Sequence, residues 1–153
     1  MQARDPGPAK YDSSDTGAMD MMMTGIYEVL QVSGICLFSL FAQLDLAPRM
    51  LEAVTGWNCD NEFQTNATKR IMNMRHAFNL REGQKPADFV APKRSVGEPP
   101  QEEGPLAGCK VDHESLKRNF FAAMAWDEET GKPSRESLEA LGGMDDVVQD
   151  LYG

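Results

Sequence analysis

At 153 residues, 41% apolar and 25% charged, the chain has the make-up of one soluble globular domain that can bury a core without disulfides or a metal. That excludes collagen, coiled coil and full disorder, and the net charge of −9 repels a phosphate backbone, so nucleic acid is not an expected partner. Three widely spaced cysteines, Cys36, Cys59 and Cys109, with no C-x-x-C pair and no signal-peptide pattern, fit a reducing, cytoplasmic compartment.

Residues 1–19 are rich in Pro, Gly, Asp and Ser and read as a disordered tail or a severed loop, leaving 20–153 as the helical domain. Helical spacing starts at Met21 and runs to about Val32, with Met22, Ile26, Val29 and Leu30 on one face, and Gly34 breaks it. A further helix is predicted over Leu37 to Gln43. The uncharged run Val29 to Leu44 is 16 residues long, short of the ~20 needed to span a bilayer, so no membrane insertion is expected.

Pro48 suits a first helical turn and predicts a short helix from about Ala47 to Thr55, ended by Gly56. Asp60 is placed to cap the strongest helix, on which Phe63, Ala67, Ile71, Met74 and Phe78 recur at helical steps and read as the core face. Glu82-Gly83 reads as its stop. Glu82 to Val111 carries nine Pro and Gly in about 30 residues, a strap across another surface or a linker. Asp112 predicts a helix carrying Leu116, Phe120 and Met124; Gly131 and Pro133 then mark a turn, Ser134 starts a short helix ending at Gly142, and Met144 to Leu151 adds a last amphipathic segment. With no run of alternating β-branched residues, the class is all-α.

Lys69 to Arg94 holds seven basic and two acidic residues, whereas Asp127 to Gly153 holds eight acidic and two basic. Intramolecular pairing on a solvated face accounts for this, and a basic surface toward a phosphate-bearing cofactor is the alternative. Neither histidine has a partnered nucleophile in sequence, and no residue is assigned as catalytic; His76 reads as a helix-surface or core-edge residue. Cys36, in Gly34-Ile35-Cys36 after a glycine break, reads from its apolar surroundings as a buried, inert cysteine. The alternative is a ligand beside backbone amides open to an anion or a cluster sulfide.

Three blocks decide between these. Gln31-Val-Ser-Gly34-Ile-Cys36, Ala53-Val-Thr-Gly56-Trp57 and Arg70-Ile-Met-Asn73-Met-Arg75-His-Ala-Phe78-Asn79-Leu-Arg81-Glu82-Gly83 resemble, in order, the C-terminal portion of tungsten-containing aldehyde:ferredoxin oxidoreductases. Asp88-Phe-Val-Ala-Pro92-Lys-Arg94 and the segment from Ala125-Trp126-Asp127 to Leu141-Gly142 continue the likeness, which covers about residues 25 to 143.

The resemblance implies the C-terminal part of a large cytoplasmic enzyme that carries a tungsten or molybdenum bis-pterin beside one 4Fe-4S cluster and oxidises aldehydes, or related oxo or acyl substrates, with ferredoxin as electron acceptor. It makes Cys36 the metal site, as fourth cluster ligand, and sets Gln31, Gly34 and Ile35 against a pterin. Gln31 stands where the family carries an acidic residue. Four thiolates normally hold such a cluster, so the other three are expected from the missing N-terminal portion, in cis or as a separate chain. The block from Arg70 to Gly83 is expected to be structural, with Arg70, Asn73, Arg75 and Arg81 pinning loops from outside the apolar stripe. A non-catalytic helical remnant or assembly module is the alternative function.

Overall fold

The computed structural model describes residues 16–38 and 46–153. Six α-helices form among them: α1 (Thr16–Val32), α2 (Leu46–Thr55), α3 (Asn61–Arg81), α4 (His113–Met124), α5 (Arg135–Leu141) and α6 (Asp145–Tyr152). The described residues hold no strand, only isolated bridges between Gln101 and Ala107 and between Trp126 and Pro133. The all-α expectation therefore holds. No helix among the described residues is long and apolar enough to cross a membrane.

Local chemistry sets several helix ends where the sequence predicts them. The Asp60 carboxylate accepts from the Phe63 amide, Asp112 from the Ser115 amide and the Ser134 hydroxyl from the Ser137 amide, each satisfying a first-turn N–H that has no partner within its helix. At α4 the chain leaves through Ala125 at φ 55° and turns back.

α1 packs against both α3 and α4, while α5 and α6 pack on each other and on α3. The close approach of α1 depends on small residues. A Cβ on Gly25 would lie 2.0 Å from Cγ2 of Thr68 in α3, and one on Gly17 would lie 2.0 Å from the Asn119 carbonyl oxygen in α4. This contact draws the helix out to Thr16, so residues 16–19, read from sequence as part of a structureless tail, are its first turn. The helix predicted over Leu37 to Gln43 lies, from Ser39 on, outside the described residues.

The core face of α3 differs from the predicted one. At 100° per residue, Met72, Asn73 and His76 point away from the Phe63–Phe78 stripe and Ala77 lies at its flank, and they are the ones buried, together with Thr68. Met74 and Phe78 remain 55% and 54% exposed. Tertiary partners override the apolar period here: α1 approaches at Thr68, and the α4–α5 turn covers His76. Ala77 joins Leu138, Met144 and Leu151 in a cluster that seats α5 and α6, with Leu80, Leu141, Val147 and Val148 at its edge.

The long Pro- and Gly-rich segment between α3 and α4 begins with a 3-10 turn at Pro86–Asp88 and is tied to itself. The Val111 amide donates to the Val96 carbonyl at 3.0 Å and the Gly108 amide to Gln101 at 2.9 Å. These bonds give the strap internal structure of its own.

Candidate functional site

The Gln31–Cys36 turn closes α1. The Ile35 amide donates to the Leu30 carbonyl at 3.0 Å and the Gly34 amide to the Gln31 carbonyl at 3.1 Å, the paired bonds of a helix end in which the residue beyond the cap is left-handed. Gly34 supplies that conformation at φ +69°. Ser33 adds a hydroxyl bond to Val29 at 2.7 Å.

Two readings of this turn change. Cys36 is exposed, so the buried, inert alternative does not hold; the buried cysteine is Cys59, and Cys109 is half-buried in the loop. The Gly34 and Ile35 amides are spent inside the helix cap and are not open to an anion. What the turn offers outward is the Cys36 thiol, the exposed Gln31 side chain and an apolar collar of Val32, Leu37 and Phe38.

Electrostatics constrain what binds there. The turn sits at the C-terminal, negative end of α1, where the helix dipole gives an anion no help and disfavours an added carboxylate. A neutral Gln31 suits that end. A thiolate at Cys36 would need its charge balanced by the metal it binds.

Against a 4Fe-4S cluster, normally held by four thiolates, the turn presents a single exposed thiol. The described residues contain no group of three His, Cys, Asp or Glu side chains able to hold a metal. Cys59 stands apart in role: its backbone amide donates to Glu52 at 3.1 Å, and burial, with Glu52 and Asp60 adding, pushes its thiol up.

The basic run is partly paired, as expected. Arg75 meets Glu28 of α1, and Arg81 reaches Asp150 of α6 at 3.2 Å and its neighbour Glu82 at 3.4 Å. Arg75 and Arg81 thus tie α3 to other helices, whereas Arg70 lies beside Gly143 in the α5–α6 turn. Asn73 is buried, not outward, and its Oδ1 accepts from the Trp126 indole at 2.7 Å.

The residues that sequence reasoning missed form an aromatic cluster over α3. His76 is 6% exposed and stacks on Trp126 with ring centroids 3.6 Å apart and planes 7° from parallel. Its Nε2 lies 2.8 Å from the Gly131 carbonyl, which only accepts, so Nε2 carries the proton. Phe89 and Phe121 flank the ring at 6.2 Å. The signal in sequence was the i, i+4 spacing of Met72, His76 and Leu80, outweighed there by the more apolar stripe opposite.

A family model described as aldehyde ferredoxin oxidoreductase, domains 2 & 3, matches residues 4–142. The chain belongs to this family. Comparisons with curated proteins and with solved structures returned no match. Membership agrees with the helical architecture, and a family defined by domains 2 and 3 implies other domains of an aldehyde ferredoxin oxidoreductase as partners.

Proposed function

We propose that this chain is the C-terminal part of a tungsten- or molybdenum-pterin, iron–sulfur oxidoreductase that oxidises aldehydes, or related oxo or acyl substrates, and delivers the electrons to ferredoxin. Its contribution is Cys36 as one of four ligands to a 4Fe-4S cluster, with Gln31, Gly34 and Ile35 forming part of a pterin wall. The observation that carries the reading is the exposed Cys36 thiol, presented by a glycine-capped helix end in a chain of the aldehyde ferredoxin oxidoreductase family.

When bound, the pterin metal supplies two-electron oxidation and the cluster a one-electron outlet. This chain's own part is placement. The Ile35-to-Leu30 and Gly34-to-Gln31 bonds fix the backbone ahead of Cys36, so the thiol is presented from a rigid helix end. Val32, Leu37 and Phe38 keep water from the ligand once a facing domain closes on them. Gln31 places an amide, both donor and acceptor, where a carboxylate would only accept.

The test is purification of the tagged chain from its own cells with whatever chains accompany it. The reading expects a co-purifying or covalently continuous portion rich in cysteine, with iron, sulfide and tungsten or molybdenum, and aldehyde-dependent reduction of a viologen dye. Recovery of the chain without metal, pterin or such a partner would instead support a helical module without redox function, the reading favoured by Gln31 and by the lack of a three-cysteine motif in this sequence.

A further inference from the structure

We propose that His76 is an acid-sensitive latch: its neutral imidazole holds the Trp126–Pro133 turn and the start of the α3–α4 loop against α3, and protonation at Nδ1 releases the turn.

The ring is where three separate segments meet. From the turn come the Trp126 stack and the Gly131 carbonyl; from the loop, Phe89; from α4, Phe121. Gly131 also lies tight against the loop and α3, since a Cβ there would stand 3.1 Å from Pro86 Cγ and 3.2 Å from Leu80 Cδ2. Asn73, one turn earlier on α3, holds the same turn through the Trp126 indole, and Leu80, one turn later, packs beside Gly131.

The ring contacts just named are uncharged, so none of them compensates an imidazolium. On the turn, Asp127 accepts from Thr130 and the Glu129 amide, and Lys132 donates to the Leu151 carbonyl. On the loop, Asp88 accepts from the Lys85 amide. On α4, Glu114 pairs with Lys117, and Arg118 donates to the Ser115 hydroxyl. On α3, Arg75 and Arg81 are paired with Glu28 and Asp150.

With Nε2 already donating to Gly131, an added proton goes to Nδ1 and leaves a charge in an apolar, aromatic surround. Burial pushes the imidazole below its usual range, and the Gly131 bond only partly offsets this. The indole face attracts a cation, an effect in the opposite sense but smaller than the loss of water around a ring this buried. A charged ring gains by swinging to solvent, which breaks the stack and the Gly131 bond together. The sign follows: the folded pKa is lowered, so the contact is intact above about pH 6.5 and is lost as pH falls below it.

The full chain carrying Trp57→Phe leaves Trp126 as its single indole and reads the latch directly. Trp126 emission is expected to change with a midpoint below pH 6.5 while the far-ultraviolet helical signal stays constant, and His76→Gln is expected to abolish the step. An emission step that persists in His76→Gln, coincides with loss of helix or fails to appear between about pH 7.5 and 4.5 overturns the proposal. Should His76→Gln not fold, NMR decides: a Trp126 indole N–H signal that shifts with the same midpoint as the His76 Cε1 proton, assigned against His113→Gln and lying below 6.5, supports the latch, and an indole signal that does not follow it, or a midpoint at or above 6.5, overturns it.

Discussion

Trp126 donates its indole N–H to Oδ1 of Asn73 at 2.7 Å, across 53 residues of sequence, from a turn to a helix face that is 2% exposed at Asn73. This bond is what lets a tryptophan lie flat over α3 without an orphaned donor beneath it. Replacing Asn73 with Leu keeps the size and removes the acceptor. The expected loss is about 1–3 kcal/mol of unfolding free energy, the penalty for an unpaired N–H in this half-buried contact, measured by urea denaturation. A neutral result would mean that the indole finds another partner.

The exchange of faces on α3 makes a paired prediction. Met72 is buried at 6% exposure, whereas Met74, two residues on, is half exposed. In the isolated chain Met72→Ala is expected to cost about 2–5 kcal/mol and Met74→Ala about 1 kcal/mol or less. Equal costs would restore the predicted stripe as the core.

Which features were legible in sequence follows from how local their causes are. Asp60, Asp112 and Ser134 act on amides three residues away, so their chemistry is written in a four-residue window. The buried face of α3 is not, because it is chosen by Gly25 against Thr68 and by Trp126 against His76, both fixed only when distant segments meet. The Gln31–Cys36 turn was legible as a glycine break, but its hydrogen bonds show that the amides serve the helix cap, which no spacing reveals.

Acid should weaken the α4–α5 turn through Asp127. The Thr130 hydroxyl, then the Thr130 and Glu129 amides, hold its carboxyl below the usual carboxylate range. A group depressed in the folded state stabilises above its unfolded pKa and loses that contribution as pH falls through the folded value. Asp127→Asn is therefore expected to be less stable than wild type at neutral pH, with the gap narrowing below about pH 4 in thermal melts. A gap independent of pH would contradict this.

The three cysteines should separate by reactivity. Brief alkylation of the folded chain, followed by peptide mass spectrometry, is expected to label Cys36 first and Cys59 only after denaturation, because Cys59 is buried and its thiol is pushed up. Labelling of Cys59 as fast as Cys36 would contradict the placement.

The central claim is that Cys36 gives one thiolate to an iron–sulfur cluster, and it is tested most directly by Cys36→Ser, Cys59→Ser and Cys109→Ser in the tagged protein purified from its own cells with its partners, followed by iron and sulfide analysis and electron paramagnetic resonance of the reduced samples. The account predicts that Cys36→Ser alone lowers the iron and sulfide content and alters or removes the cluster signal, with the other two variants matching wild type. Full iron and an unchanged signal in Cys36→Ser, or an equal loss in Cys59→Ser, would contradict it.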